Sequence, residues 1–474
     1  MFRNRAKELQ ALEDRWRTGQ PEFVVLYGRR RVGKTELLLQ FLGDKPHLYL
    51  LGDLRSERDQ LVEVTQRLYD YSRDPLLAAQ ALPSWATALE YIVRLALQER
   101  LVVVIDEFQY FCESTPSLPS VLQKVWDEQA RFSRVMLILC GSYVSFMERE
   151  TLAYESPLYG RRTAQMQLQP LDYLDASAFF PKYSAQDRIL AYSVLGGMPG
   201  YLSRFDPGRS LAENIRQEIL DPVAMLSSEA RFLLMEEMRE PRNYFSLLRA
   251  IAFGKTRLNE ISQEAGLPSR GASKYLDVLQ DLGLIERKTP ITERRPERSR
   301  QGLYDIIDNY VAFWFRFVLP NQPYLEEGRR EYVLNERILP NLPDYASRRF
   351  EDVCRRFLQR RQGQGTLSSI EFDRIGAWWS SSEEVDVVAM HGDEVLLIGE
   401  CKWTNEWVKI GDLNDLRRKA AVMNAATSVR YALFSRSGFD PNLIKLAKAE
   451  GILLFEPEDL FTLGSDQLAA GSFQ

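Results

Sequence analysis

The amino-acid sequence predicts an α/β protein with two separate sheets. Near its start, the apolar run FVVLYG is followed by a loop that contains Gly28 and Gly33, and then by the helical pattern TELLLQFL. Two further apolar runs, RLVVVIDEF and RVMLILCGSY, alternate with helical stretches, which is typical of a parallel sheet covered by helices on both faces. Close to the C-terminus, the runs EVDVVAM, EVLLIGECKW and RYALFS predict a second, smaller α/β unit.

Length and composition are those of an ordinary globular protein with about three domains. Of the 474 residues, 45% are hydrophobic and 27% are charged, and the net charge is only −5, so any nucleic-acid binding requires a local basic patch. The four cysteines are scattered, and the N-terminus lacks the apolar segment of a signal peptide. We therefore expect a cytoplasmic protein with reduced thiols and without a membrane partner.

The loop after the first strand has the pattern of a phosphate-binding loop. GRRRVGKT, residues 28–35, fits G-x-x-x-x-G-K-[ST] between a strand and a helix, a context that makes a chance glycine turn improbable. Gly28 and Gly33 allow the tight backbone, Lys34 is expected to bridge the β- and γ-phosphates of ATP, and Thr35 is expected to bind Mg²⁺. Further nucleotide contacts are predicted for neighbouring residues, namely Arg31, Val32 and Glu36. The three loop arginines, Arg29, Arg30 and Arg31, either face solvent or contact phosphate or a partner.

Acidic and hydroxyl groups follow the next two strands. Asp106 ends the run VVVID, where its carboxylate is expected to hold the water shell of Mg²⁺. Glu107 is a candidate general base for the attacking water, or it only caps the strand end. Ser142, just beyond the run LILCG, either senses the γ-phosphate or starts a turn.

Several motifs in the first half of the chain resemble those of archaeal-type ATPases of the STAND group within the AAA+ class. They are FRNRAKELQAL, the phosphate loop, IDEFQY, CGSYVSFM, SPLYGRRT and GGMPGYL, and they occur in the family's order. The resemblance implies that Phe2 and Arg5 lie near the adenine. It also implies that Arg161 or Arg162 reaches a γ-phosphate, in cis or from a neighbouring subunit of a homo-oligomer, and that the segment containing Pro199 belongs to a lid over the nucleotide.

The middle of the chain predicts a winged helix. Residues 243–291 have the pattern of three helices followed by a strand, and in the third helix Ala272, Leu276, Leu279 and Leu282 share a core-facing spacing. Arg270, Ser273 and Lys274 would then face outward, as in a recognition helix. Six basic residues between positions 286 and 300 would form a patch for DNA phosphate. The alternative is a winged helix used for internal packing or protein contacts.

The last informative stretch is EEVDVVAMHGDEVLLIGECKW. Glu400 and Lys402 alternate along one strand and so project to the same side, and Asp386 comes from the strand before it. Two carboxylates and a lysine at a sheet edge can bind Mg²⁺ or Mn²⁺ and activate water against a phosphodiester. The alternative is an ordinary surface hairpin.

This arrangement resembles the PD-(D/E)XK nuclease superfamily, and more narrowly the C-terminal domain that accompanies archaeal-type ATPases. Glu351 matches the acidic residue of the superfamily's upstream helix and would be a further metal ligand. Such a fold also persists as a non-cleaving binding module.

These observations predict a fold made of an AAA+-like P-loop domain with a helical lid, a winged helix and a restriction-endonuclease-like α/β domain. The expected boundaries are 1–170 for the ATPase core, 171–235 for the lid, 236–300 for the winged helix, 301–344 for a helical linker and 345–474 for the nuclease-like domain. The expected function is ATP hydrolysis that controls metal-dependent DNA cleavage. The alternatives are a nucleotide-switched signalling or DNA-binding regulator that does not cleave and an ATP-driven, chaperone-like assembly protein.

Overall fold

A computed structural model of the chain describes residues 4–238, 241–423, 425–426 and 428–462. The chain forms two compact units. The first contains the residues up to Leu171 together with Met198–Gly200, and the second contains Asp172–Gly197 and the chain from Tyr201 onward. Within the described ranges, no helix is both long enough and apolar enough to cross a membrane.

The first unit is built on a five-stranded sheet in which every neighbouring pair is parallel. The strand order is β2-β3-β4-β1-β5, so the strand before the phosphate loop lies inside the sheet. This confirms the α/β fold with a parallel sheet. The strands are β1 (Glu22–Tyr27), β2 (His47–Leu51), β3 (Leu101–Asp106), β4 (Val135–Gly141) and β5 (Ala164–Gln167).

Helices cover this sheet and bury its apolar side chains, including Phe23, Val103 and Leu137, together with Trp85 and Trp126 from the helices. All residues of β1, β3 and β4 are buried, which explains why these strands read as continuous apolar runs. The helices are α1 (Ala6–Arg17), α2 (Lys34–Leu42), α3 (Glu57–Ser72), α4 (Pro75–Ala79), α5 (Trp85–Gln98), α6 (Phe108–Ser114), α7 (Leu118–Glu128) and α8 (Val144–Met147), with a 3₁₀ turn at Ala130–Phe132 and a π-helical turn at Glu148–Leu152.

Helices make up the first part of the second unit, in agreement with the helical pattern after Pro170. They are α9 (Tyr173–Ser177), α10 (Ala185–Leu195), α11 (Pro199–Leu202, which begins in the first unit), α12 (Leu211–Asn214) and α13 (Glu229–Glu237). A π-helical turn at Ile215–Ile219 and a 3₁₀ turn at Met225–Ser227 separate the last two helices.

Three helices and a hairpin follow. They are α14 (Pro241–Ala252), α15 (Leu258–Glu264), α16 (Ser269–Asp281) and the antiparallel pair β6 (Ile285–Lys288) and β7 (Leu303–Ile306), with a 3₁₀ turn at Pro296–Arg298 between the strands. On α16, Ala272, Leu276 and Leu279 are buried as their spacing predicted, and Leu282 at the helix end is half-buried.

Aromatic-rich helical turns lead to the final sheet. They are α17 (Asn309–Phe313), α18 (Gln322–Glu326) and α19 (Arg330–Tyr332), with π-helical turns at Trp314–Val318 and Val333–Ile338 and 3₁₀ turns at Leu319–Asn321 and Leu339–Asn341.

The final sheet has the order β12-β11-β10-β9-β8 and is mixed. Strands β8, β9 and β10 form an antiparallel meander. Strand β11 pairs in parallel with β10 on one side and with β12 on the other. Helix α20 buries Phe350, Val353 and Phe357 in the core beside this sheet. The elements are α20 (Leu342–Arg361), β8 (Arg374–Trp379), β9 (Glu384–His391), β10 (Glu394–Lys402), α21 (Ile410–Val422), β11 (Arg430–Ser435), α22 (Pro441–Glu450) and β12 (Leu453–Phe455), with 3₁₀ turns at Gly365–Leu367 and Pro457–Phe461.

Candidate functional sites

The phosphate loop joins the end of β1 to the start of α2. Gly33 is the residue before the helix and has a φ of 95°, which an L side chain rarely adopts. The Lys34 ammonium folds over the loop and donates hydrogen bonds to the carbonyl oxygens of Gly28 (2.8 Å) and Arg29 (3.3 Å). The loop therefore holds a cation within its curve, at a helix N-terminus, as phosphate binding requires.

Gly28 is required by space as well as by conformation. Its φ is 153°, and a Cβ there would lie 2.5 Å from the carbonyl oxygen of Leu168. We predict that Gly28→Ala distorts the loop and weakens ATP binding at least tenfold, measured by equilibrium titration. Gly19→Ala is the matched control because Gly19 also has a positive φ of 70° but has nothing within 4 Å of an added Cβ. Equal ATP affinity in the two variants would contradict the role assigned to Gly28.

Arg5 stabilises the phosphate loop through hydrogen bonds to backbone carbonyl groups. Its buried guanidinium donates to the carbonyl oxygens of Val32 (3.0 Å) and Gln169 (2.7 Å) and pairs with Glu8 at 2.9 Å. The structure therefore places Arg5 on the backbone of the phosphate loop. Phe2, its predicted companion near the adenine, lies outside the described residues.

Pro199 lies against the same loop, within the first unit. Its Cγ is 3.7 Å from the position of a Cβ on Gly33, and the neighbouring Gly200 N–H donates to the carbonyl oxygen of Arg31 at 3.0 Å. The segment predicted to cover the nucleotide is thus brought to the loop despite its distance along the chain. Glu36, in the first turn of α2, is exposed.

A hydroxyl and a carboxylate meet beside the loop. Thr35 Oγ1 lies 3.3 Å from Asp106 Oδ2, and the Tyr49 hydroxyl donates to the same carboxylate oxygen. Burial, followed by the charge of Asp106, raises the pKa of the Tyr49 phenol, so Tyr49 stays a donor. These oxygen donors fit a magnesium ion. Sequence reasoning missed Tyr49, whose only signal is its place in the short run HLYLL.

Glu107 and Ser142 are also brought together. The Ser142 hydroxyl donates to Glu107 Oε2 at 2.8 Å, and the Gln109 amide donates both to that oxygen and, at 3.1 Å, to Ser142 Oγ. Glu107 has a φ of 51°, a strained conformation for a non-glycine residue that is common at functional sites. This trio fixes the direction of the carboxylate. Gln109 was not predicted, although it lies within the IDEFQY motif.

The backbone of Arg161 and Arg162 lies at the level where β1 begins, although the charge of Arg162 acts on Tyr27 at the other end of that strand. The Thr163 N–H bonds to the carbonyl oxygen of Phe23 at the start of β1, whereas the loop follows the end of that strand. The two levels differ by about five strand residues, or roughly 16 Å at ~3.3 Å per residue. In addition, Arg161 forms an ion pair with Asp127 at 3.0 Å.

The C-terminal carboxylates are close together but already engaged. Asp386 Oδ2 accepts a hydrogen bond from the Cys401 N–H at 2.8 Å. Glu400 is buried and pairs with Lys402 at 2.8 Å and with Lys419 at 3.0 Å. Lys419, on α21, was not predicted because nothing in the local sequence connects it to the ECK motif.

Helix α20 adds Glu351 to this group. Burial, together with repulsion from Asp386, raises the pKa of Glu351, and burial together with repulsion from Glu400 raises the pKa of Asp386. The carboxylates therefore form an electrostatically strained cluster that a cation would relieve. As placed, however, the residues described by the structure include no group of three or more His, Cys, Asp or Glu side chains that could hold a metal ion.

The basic patch of the hairpin is smaller than the sequence predicted. Arg287 donates to the carbonyl oxygens of Pro296 and Ser299, and Lys288 pairs with Asp305 at 2.8 Å. Arg294 pairs with Asp393 at 2.7 Å on the surface. The other basic residues of the patch, Arg295, Arg298 and Arg300, are exposed. On α16, Arg270 and Lys274 are exposed and Ser273 is half-buried.

Comparison with known proteins gives two family matches. A family described as an ATPase domain predominantly from Archaea matches residues 2–205, and a family described as Archaea bacterial proteins of unknown function matches residues 314–418. Among solved structures, a Walker-type ATPase of Pyrococcus abyssi is 22% identical with a TM-score of 0.49, covering 66% of this chain and 96% of that one. The ORC2 protein of Aeropyrum pernix is 15% identical with a TM-score of 0.45, covering 69% and 96%.

Two proteins of Methanocaldococcus jannaschii are similar in sequence. An uncharacterized protein is 31% identical over 439 residues, which is 91% of this chain and 94% of that protein. An uncharacterized ATP-binding protein is 51% identical over 45 residues, which is 10% of this chain and 76% of that protein. Together with the loop geometry, the match of residues 2–205 to the ATPase domain family supports ATP binding and hydrolysis. The chain therefore belongs to the archaeal-type ATPase family, with a P-loop ATPase domain in its first half and a second matched family region toward its C-terminus.

Proposed function

We propose that this ATPase binds DNA through its second unit and cleaves it at the carboxylate site, with cleavage controlled by the nucleotide. The observation that carries the proposal is the group of half-buried Asp386 and buried Glu400, on adjacent strands, with Glu351 on α20 and Lys402 beside them. An acidic cluster with a lysine at a sheet edge is suited to metal-assisted phosphodiester hydrolysis.

At the ATP site, each side chain has a distinct task. Lys34 neutralises the β- and γ-phosphates, and Glu107 accepts a proton from the attacking water, held in direction by Ser142 and Gln109. Thr35 and Asp106 would hold Mg²⁺, which supplies positive charge to the phosphates when bound. In this proposal, an arginine of a neighbouring copy, Arg161 or Arg162, completes the site.

At the carboxylate site, Asp386, Glu400 and Glu351 would hold Mg²⁺ or Mn²⁺. A divalent cation held by these residues would polarise a phosphate oxygen and lower the pKa of a water molecule. Lys402 is held at 2.8 Å from Glu400 and is placed to stabilise charge that develops on the phosphate. Lys419 maintains the orientation of Glu400 from the other side.

DNA contact is proposed for the three helices and hairpin, used as a winged helix. Arg270 and Lys274 lie near the start of α16, where a recognition helix meets DNA. The exposed arginines of the hairpin add sequence-independent phosphate contacts, so binding is expected to weaken as salt concentration rises.

The experiment uses the full-length protein with linear, branched and single-stranded DNA, in Mg²⁺ or Mn²⁺, with and without ATP. We expect Asp386→Ala to abolish cleavage, a loss of at least ~100-fold, because the carboxylate is the proposed metal ligand. Asp393→Ala is the matched control because Asp393 is on the same hairpin but exposed. Cleavage that persists in Asp386→Ala, or that is lost equally in both variants, would rule out this site.

One observation favours a second candidate, a nucleotide-switched DNA-binding regulator that does not cleave. Both oxygens of Glu400 are ion-paired, to Lys402 and Lys419, which neutralises the group without a metal. Salt-sensitive DNA binding that changes with ATP, in the absence of cleavage of every substrate, would support this candidate.

A further inference from the structure

A cavity of about 540 Å³ opens in the second unit beside strand β6, helix α20 and strand β8. Its volume is within the range of about 300–1,000 Å³ that is usual for small-molecule sites. None of the three carboxylates proposed to bind metal lines it. The cavity is therefore separate from the proposed cleavage site.

Three of its four cations are fixed by acidic partners. Lys288 pairs with Asp305 at 2.8 Å, Arg349 pairs with the same carboxylate at 3.4 Å, and Arg355 pairs with Asp352. Burial lowers the pKa of Lys288, but the charges of Asp352 and Asp305 outweigh it and raise the pKa overall. These cations form a rigid, charged wall.

Arg356 differs from them. It lines the cavity with an exposed side chain, and within the described part of the chain it makes no hydrogen bond or ion pair. A guanidinium is always charged and presents a planar fork of donors that matches phosphate. The lining contains four basic residues and the acidic residues Glu286 and Asp352, and Asp305 pairs with two of the basic residues, so one positive charge remains in excess and the cavity favours an anion.

The rest of the lining suits an organic molecule more than a bare ion. Tyr192 contributes an aromatic ring, and Thr289 and Gln359 contribute a hydroxyl and an amide. A ring surface, hydrogen-bonding side chains and an open guanidinium together match the parts of a nucleotide. The cavity also has the volume for a nucleotide of one base.

We propose that this cavity binds a nucleoside monophosphate, with the phosphate on Arg356 and the base beside Tyr192. This adds a second ligand site, distinct from the phosphate loop and from the carboxylate cluster.

Arg355 connects the cavity to that cluster. Its guanidinium donates to the backbone carbonyl oxygen of Asp386 and to Asp352, and it lies 3.7 Å from Glu351. A ligand that forms a hydrogen bond or ion pair with Asp352 or Arg355 changes the contacts that Arg355 makes with Asp386 and Glu351. This consequence for cleavage rests on the proposed function, whereas ligand binding itself does not.

The test is calorimetric titration of the full-length Lys34→Ala protein, in which the phosphate loop is disabled, with AMP, GMP and adenosine. We expect one saturable site for a monophosphate and at least tenfold weaker binding of adenosine. Arg356→Ala is expected to weaken monophosphate binding at least tenfold. Arg348→Ala is the matched control because Arg348 is exposed on the same helix but outside the cavity.

Absence of saturable binding at millimolar monophosphate would overturn the proposal, as would equal weakening by Arg356→Ala and Arg348→Ala. Adenosine that binds as tightly as AMP would also overturn it. The unfolding midpoint of Arg356→Ala should equal that of the parent, since the side chain is exposed. No DNA is present, so a failure of the cleavage proposal would leave this result unchanged.

Discussion

Lys34→Ala is expected to reduce the rate of ATP hydrolysis at least ~100-fold. The Lys34 ammonium is buried and held over the phosphate loop by two backbone carbonyls, so it is in place before the nucleotide binds. Removing a preorganised cation or donor from a phosphate or oxyanion site typically costs a factor of about 10²–10³. The measurement is steady-state release of phosphate at saturating ATP.

Lys124→Ala is the control for this experiment. Lys124 is an exposed lysine on α7, so the variant removes the same charge from the same unit. It should hydrolyse ATP at the parent rate. A Lys34→Ala protein that retained even a third of the parent rate would contradict the assignment of this loop as the catalytic phosphate site.

Asp352→Ala is expected to lower the free energy of unfolding by about 3 kcal/mol. Its carboxylate lies among three cations, in contact with Arg355 and at 3.8 and 3.9 Å from Lys288 and Arg349. Burial raises the pKa of Asp352, but the three cations outweigh this and hold the pKa well below its usual value. Breaking a fully buried ion pair from one side costs about 3–5 kcal/mol, and the side chain of Asp352 is 29% exposed, so the expected loss is at the low end of this range. Urea unfolding at pH 7 measures the loss.

The pH dependence of this effect has a definite sign. Because the folded-state pKa of Asp352 is depressed, its stabilisation is fully present above the ordinary aspartate pKa of about 4 and is lost as the pH falls toward the folded-state value. The difference between parent and variant should therefore shrink below about pH 4. Asp393→Ala, which breaks an ion pair between groups that are 80% and 71% exposed, should change the stability little. A loss in Asp393→Ala as large as in Asp352→Ala would refute this account.

Local sequence was sufficient for much of the fold. The strands that were predicted near FVVLYG, RLVVVIDEF and RVMLILCGSY are β1, β3 and β4, and those predicted at EVDVVAM, EVLLIGECKW and RYALFS are β9, β10 and β11. Buried strands and glycine-containing loops have short-range sequence patterns, so they can be predicted without knowledge of the rest of the chain. Strands β2 and β5 were not identified because HLYLL and AQMQ are short and partly exposed.

Some residues of the two candidate sites could likewise be predicted from local sequence, and others could not. Gly28, Lys34 and Thr35 follow from one motif, and Asp106 and Ser142 follow strands that end at the same edge of the sheet. By contrast, Tyr49 and Lys419 reach the sites from elements whose sequences carry no signal of their role, and Gln109 lies in the IDEFQY motif, which assigned it none.

Local patterns in the sequence are enough to specify the nucleotide loop, the order of the elements and the presence of a carboxylate–lysine group. The partners of the charged groups come from long-range packing, which pairs Glu400 with Lys419, places Arg5 on the loop backbone and engages three of the six basic residues of the predicted patch. The difference lies in the distance along the chain over which each effect acts. Backbone propensity and motif spacing act over a few residues, whereas the partner of a charge is chosen by packing between segments that are far apart in the chain.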